Sequence, residues 1–546
     1  MSIETPADAA PHPVEPARWA RCRAVLHRQG GRLLLLLGAA SVCCTVLGLR
    51  QLAVVSLVDE QALKAQLVAW LVAGGLWVLA LLALSRHLST DTTHAQRASY
   101  GSVLLLCALG LLPRLYALPL PVTHSPDIYR YVWDGAVQRA GHNPYLDPPA
   151  AARYADVQRA QPEAFSRINH RHLPTIYPPM AQHALHGSAK LGSPHENVAV
   201  AILRWKTLCG LAELALWLVL AGLLHQRGID LRWLALWLLC PLPAVEIWLN
   251  GHIDILGVLF LGLTLLFWPD REGRIQRIAS ARTLLSGAAL ALALLVKPLA
   301  GVVLPAVLRF SRRSAVLWAS AGVLAAVLVW LPYRQAGVQV TPSLGEYGRR
   351  WRSNDGAFAV LQKVSETVTE IVYRPPYWNP WRVPALARLI SGRDRATVWP
   401  DELAGFLARL ASGLALLWLL RVCIERQLSA PRSGLLLLTG YALLTPVLHP
   451  WYLLWPLLLT PLWRQVAWPA LLLCALAPLA YLPLLDELRG LPHRESSVPR
   501  LFEHGAAWLA LALCWRSLRQ GLIESTADGL GDGAGAPPGE GDGPAG

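Results

Sequence analysis

Asp127, Arg130, Tyr131 and Asp134 stand at i, i+3, i+4 and i+7 within PVTHSPDIYRYVWDGAVQRAGHNPYLDPP, residues 121–149. On a helix that spacing sets two carboxylates, a guanidinium and a phenol along one face. A carboxylate there can take a proton from a hydroxyl, and a cation beside it can hold an anionic group such as a phosphate. An ordinary solvated helix face has the same spacing, so spacing alone leaves both readings open. Ser125-Pro126-Asp127 reads as a helix start, with Ser125 as N-cap and Pro126 at the first helical position. Gly141 reads as its stop, and Asn143-Pro144 and Pro148-Pro149 as turns.

The elements that must position these residues are membrane spans. The 546 residues are 54% hydrophobic and only 15% charged, where a soluble chain carries about 25% charge. Apolar runs near 32–49, 67–84, 234–249 and 315–331 are long enough to cross a bilayer. Hydropathy predicts about 14 crossings between residues 32 and 518, of which the short pair at 283–309 is the weakest. The fold class expected is an all-α polytopic membrane protein, a bundle of about 12–14 transmembrane helices with two large outer loops. Its parts are a basic, disordered N-terminus at 1–31, a membrane domain at 32–525, and a Gly/Asp/Pro tail at 526–546 with too few apolar groups to order.

The net charge of +14 is almost all arginine, and only five lysines occur. The basic residues fall between apolar runs rather than on one face, which argues against nucleic-acid binding. Placing both termini in the cytoplasm puts Arg86, Arg97, Arg227, Arg232, Arg271, Arg274, Arg309, Arg312, Arg421 and Arg426 in cytoplasmic connections, as the positive-inside rule requires. The loops 121–197 and 333–403 then face outward, the first holding one or two interfacial helices. The Arg, Trp and Pro of YRPPYWNPWRVP in the second suit a loop lying against headgroups. An uncleaved first span is expected rather than a signal peptide, because the charged region before it is long and no AxA site follows. Nine cysteines show no CxxC or Cys/His metal spacing, and no disulfide framework is expected.

Further polar groups gather at the outer ends of the spans. Asn250-Gly251-His252-Ile253-Asp254 and His449-Pro450-Trp451-Tyr452 occupy short outer connections. Tyr177-Pro178-Pro179 lies in the first loop, and Lys297-Pro298 interrupts an apolar region. Each has a plain reading as interface aromatics, a turn or a snorkelling lysine; their shared side of the membrane points to one outward cavity. Arg130 and Lys297, with Arg349, Arg350 and Arg352 as further candidates, would supply its cations. These parts suit transfer of a group from a lipid phosphate to a hydroxyl.

D-I-Y-R-Y-V-W-D-G…G-H-N-P-Y…P at 127–148 resembles the first outer loop of bacterial GT-C glycosyltransferases, nearest to the polyprenol-phosphate-mannose-dependent mannosyltransferases. These are distantly similar to eukaryotic GPI mannosyltransferases. The Y-P-P, N-G-H-I-D, K-P and H-P-W-Y elements look like later parts of the same pattern, in order over residues 100–485. The resemblance implies an inner-membrane enzyme that moves a hexose, mannose foremost, from a polyprenyl-phosphate sugar to a glycan or lipid acceptor with inversion. It marks Asp127 as the catalytic base. Arg130, Tyr131, Asp134, Asn143, Tyr177, His252, Lys297 and His449 are expected to bind substrate. No cofactor is called for; some relatives use a divalent metal, and no ligand set here compels one. In one departure, two spans precede the span leading into the acidic loop, where many members have one span in all. Two alternatives stay open: a transporter or flippase using Glu213, Glu246, Asp254 and Lys297 as a path, and a ligase using a polyprenyl-diphosphate-linked glycan. Absence of repeated halves speaks against the transporter.

Overall fold

A computed structural model describes residues 15–53, 59–89, 100–269, 276–372, 400–492 and 496–520. The tail at 526–546 and the Trp/Pro-rich stretch at 373–384 lie outside the described residues, as do residues 1–14 of the N-terminal segment. Among the described residues the protein is helical throughout, with one isolated bridge between Ser353 and Val447. It is an all-α polytopic membrane protein.

Among the described residues, seven helices are long and apolar enough to cross a membrane: Gly31–Leu52, Glu60–Leu88, Tyr100–Ala117, Val198–Gln226, Arg312–Gly337, Asp401–Glu425 and Trp468–Leu488. An eighth is the pair Leu231–Leu238 and Pro241–Leu249, bent by 51°. The hydropathy count of about 14 is higher because it scored apolar runs that the backbone breaks. Asp254–Leu266 and Pro298–Arg309 are helices of 13 and 12 residues, and residues 450–463 fold as three short pieces around Pro456 and Pro461. Proline removes a helix hydrogen bond and clashes with the preceding turn. Leucines and valines on the outer faces stay exposed, among them Leu36, Val72, Leu104, Val323 and Leu328. Such faces are at home in lipid and not in water.

The first helices are α1 (Glu15–Ala53), α2 (Glu60–Ser89) and α3 (Tyr100–Ala117). The first long loop then folds into α4 (Asp127–Arg139), α5 (Ala155–Ala160), α6 (Pro162–Arg167) and α7 (Pro179–Lys190), more than the one or two helices expected. The span α8 (Val198–Gln226) follows, its N-terminus capped by the Asn197 side chain on the Ala199 N–H at 2.7 Å.

Inside the bundle Arg114 of α3 and Glu213 of α8 form a fully buried pair. Arg114 Nε and Nη2 donate at 2.9 and 2.7 Å, and Trp217, Trp237 and Trp248 also donate their indole N–H to Glu213. The remaining guanidinium nitrogen reaches the carbonyls of Gly110 and Leu238. A charge pair out of water is stable only when its other bonding positions are filled, as these are. Lys206, about two turns before Glu213, donates to the carbonyls of Ala117 and Leu120 and so fixes the end of α3 where the first long loop departs.

Candidate active site

Asp127 opens α4, with Pro126 at the cap position and Ser125 Oγ accepting from the Asp127 N–H at 3.3 Å. The helix thus begins one residue later than the sequence suggested. It ends as expected: Gly141 takes φ +83, and His142 N–H closes onto Val137 O at 3.0 Å.

The turns that carry the other groups come from distant parts of the chain. Ala244–Leu249 is a π-helix, and its wide turn brings Glu246, Asn250 and His252 inward. Gly251 follows at φ +69; a Cβ there would stand 2.8 Å from Ile128, so only glycine lets this turn meet α4. The second long loop docks through Ser353, whose N–H reaches Pro446 O at 3.0 Å while Leu448 N–H reaches Ser353 O at 2.9 Å. That places Tyr347 and Trp351 beside the segment His449–Tyr452.

These segments enclose a cavity of about 370 Å³. Asp127, Arg130, Tyr131, Tyr177, Lys297 and His449 all line it. Lys297 Nζ lies 2.8 Å from Asp254 Oδ1 and 3.7 Å over the ring of Tyr452, whose hydroxyl is 2.8 Å from that of Tyr347. Trp455 Nε1–H donates to the same Asp254 oxygen at 2.8 Å. Tyr177 hydroxyl donates to Asp127 Oδ2 at 3.4 Å. Burial raises the Asp127 carboxyl above its ordinary range, against the opposing pull of His252 and Lys297. His124, three residues before it, is lowered to about 4 by burial and so is neutral. Its Nε2 meets Gln66 Oε1 of α2 at 3.0 Å, and its Nδ1 meets Thr123 Oγ1 at 2.9 Å. A cavity lined by the Asp127 carboxylate and by the cations Arg130 and Lys297 can deprotonate a hydroxyl and stabilise an anionic leaving group.

A model of a family described as alpha-(1->6)-mannopyranosyltransferase, N-terminal domain, matches residues 29–313, more than half of the chain. The chain belongs to this mannosyltransferase family. It is therefore a glycosyltransferase of the GT-C type, a membrane enzyme that works with a sugar donor and an acceptor. Comparisons with curated proteins and with solved structures find no match.

Three residues expected to bind the mannosyltransferase's substrate stand elsewhere. Asp134 is buried and does not line the cavity. It takes Arg130 Nε at 2.8 Å, Thr175 Oγ1 at 2.6 Å and Gln182 Nε2 at 2.9 Å. Its face of α4 meets protein, which helical spacing cannot distinguish from a face that meets ligand. Asn143 Oδ1 accepts from the Tyr145 N–H at 3.1 Å, and Tyr145 hydroxyl donates to Tyr177 O at 2.7 Å. The N-P-Y turn thus holds the Y-P-P segment rather than reaching the cavity. His252 is fully buried, its ring stacked at 3.7 Å on Trp451, which stacks in turn on His449 at 4.4 Å.

Arg130 reaches the cavity but is shared, since Nη1 also donates to Leu173 O at 3.1 Å. Arg349 and Arg352 do not line it, and Arg352 pairs with Asp355; the Arg350 side chain lies outside the described residues. Of the transporter groups, Glu213 and Glu246 are off the wall. Glu246 accepts from Tyr481 hydroxyl at 2.9 Å. Among the described residues no three His, Cys, Asp or Glu side chains converge as a metal-ligand set, and the eight described cysteines are free.

Asp254, His124, Tyr347, Tyr452 and Tyr481 also line the cavity and were not among the expected binding residues. Asp254 carried a signal, an acid opening an apolar helix just after a polar turn. Tyr481 carried none, lying within an apolar run.

Proposed function

We infer that the enzyme transfers mannose from a polyprenyl-phosphate donor to a hydroxyl of a glycan or lipid acceptor. The family's α-(1→6) linkage makes the primary 6-hydroxyl of a mannosyl residue the nucleophile. Asp127 takes the proton of that hydroxyl. The oxygen attacks the anomeric carbon from the face opposite the phosphate, and the carbon–oxygen bond to phosphate breaks with inversion. The electron pair leaves on polyprenyl phosphate, whose growing charge meets Lys297, with Arg130 nearby. An α product by inversion requires a β-linked donor. The observation that carries this reading is that Asp127 and Lys297 line one cavity between the first outer loop and the span ends. The arginine pattern supports a multi-pass inner-membrane enzyme with cytoplasmic termini and this cavity on the outer face.

The test is to supply membranes containing the protein with labelled polyprenyl-phosphate mannose and a mannosyl acceptor. The reading requires equal release of polyprenyl phosphate and gain of labelled acceptor, both absent in Asp127→Asn. Label that crosses the membrane without release of polyprenyl phosphate would mean transport.

A further inference from the structure

A second cavity of about 340 Å³ lies between α4, α5, α7 and the start of α8. Its volume falls in the range of small-molecule sites. Tyr131 lines both this cavity and the catalytic one. Asp127 and Tyr131 are one helical turn apart, a rise of about 6 Å, so an occupant here lies within a short reach of the base.

The chemistry of the wall selects its occupant. Arg204 is held by Glu196, and Arg139 by the carbonyls of Ala189 and Gly192. Arg204 Nη1 and Nη2 and Arg139 Nη1 are thus engaged within the wall, and a phosphate entering here would compete with Glu196 and these carbonyls for them. Two arginines face two carboxylates, Glu196 and Asp156, so the wall has no net call for an anion. The wall offers both donors and acceptors, and Tyr131 and Trp205 stand with rings 5.8 Å apart. A neutral ligand rich in hydroxyls, with an apolar ring face, matches all of these features.

We propose that this cavity binds a saccharide unit of the acceptor, holding the glycan while its terminal hydroxyl reaches Asp127 past Tyr131. The proposal rests on the mannosyl-acceptor reading above. It adds a site on the outer loop, separate from the cavity that receives the donor.

Ala160 lines only the second cavity and is half-buried on the short α5, so Ala160→Phe fills the space without touching the catalytic wall. Asp156 has a side chain 55% exposed, paired only loosely with His142 at 3.6 Å, so Asp156→Ala removes an acceptor group with little risk to folding. The probe is α-1,6-linked mannotriose, its binding to the full chain in nanodiscs followed by calorimetry. Wild type and Asp127→Asn should bind alike, while Ala160→Phe and Asp156→Ala should bind at least tenfold more weakly. In transfer assays the same two variants should raise the KM for acceptor and leave that for donor unchanged. No binding to wild type, or undiminished binding to both cavity variants, overturns the proposal. Binding that behaves as expected without any transfer from polyprenyl-phosphate mannose keeps the saccharide site and removes the donor reading instead.

Discussion

Lys297 and Asp254 form a pair 43 residues apart in sequence and 2.8 Å apart in space, with the carboxylate buried and the ammonium open to the cavity that Asp127 lines. The cation is thereby fixed where the proposed mechanism places the leaving phosphate. Losing one charge-assisted contact costs about 1.5–3 kcal/mol, so Lys297→Ala should weaken donor use about ten- to a hundredfold. It should also strand a buried carboxylate. Adding Asp254→Asn should therefore recover thermal stability without recovering donor use. Unchanged donor kinetics in a correctly inserted Lys297→Ala protein would remove Lys297 from the site.

The two carboxylates of α4 should separate cleanly. Asp127 faces the cavity, whereas Asp134 is held by Arg130, Thr175 and Gln182. Asp127→Asn should cut turnover by a factor of about 10² or more while donor binding survives. Asp134→Ala should instead lower the melting temperature, since it leaves buried donors unpaired at about 1–3 kcal/mol. Donor binding, turnover and melting curves on both variants decide it; a fully active Asp127→Asn would move the base elsewhere.

The raised Asp127 carboxyl gives a pH dependence with a definite sign. As the proposed base, Asp127 must be ionised to act, so kcat/KM should fall as pH drops, with an inflection above the usual value of about 3.9 for Asp. Lys297 pulls that carboxyl down, so Lys297→Met should move the inflection to higher pH. For stability the relation runs the other way. A carboxyl whose folded-state pKa lies above its unfolded one destabilises the fold when ionised, and that loss fades as pH falls through the folded value. Asp127→Asn should then raise the melting temperature at pH 7 and change it little at pH 4. A variant less stable at pH 7 than at pH 4, relative to wild type, would contradict the burial argument.

The second span has a stated job in this fold. Gln66 Oε1 accepts from His124 Nε2, leaving Nδ1 to accept from Thr123. Trp70, one turn on, packs edge-on to the same imidazole at 6.0 Å. Gln66→Leu should free the ring and lower kcat about tenfold, with KM for donor little changed. Gln66→Glu keeps an acceptor and should retain more activity. Equal losses in the two would mean that Gln66 only fills space.

Orientation is open to a direct chemical test. Ala152 is exposed in the first loop, and Gln226 is exposed at the other end of α8. In intact cells a membrane-impermeant thiol reagent should label Ala152→Cys and spare Gln226→Cys until the membrane is permeabilised. The reverse order would invert the topology.

Much of the site was legible because it rests on local signals. An apolar run, then Ser-Pro-Asp, then Gly141 defines α4 without any tertiary information, and polar turns such as N-G-H-I-D stand out between spans. Burial of one helix face against its neighbour was not legible. Asp134 and Asp127 look alike at helical spacing, and only the packing of α7 separates them. Nor could hydropathy see that Pro241, Pro456 and Pro461 break apolar runs, because it counts side chains and not backbone hydrogen bonds.

The pair between Arg114 and Glu213 also constrains how the chain can be made. The two charges belong to helices separated by the whole first outer loop, residues 118–197. During synthesis α3 must enter the bilayer carrying a guanidinium whose partner has yet to be translated. It becomes secure only after that loop has been made and α8 has arrived, and the indoles of Trp237 and Trp248 complete the enclosure later still. Fragments that stop before Val198 leave this charge exposed to lipid, and those that stop before Trp248 leave its counter-ion short of donors. The smallest piece of this enzyme able to persist in a membrane therefore runs past the π-helix, well beyond the point at which α4 and Asp127 have already been made.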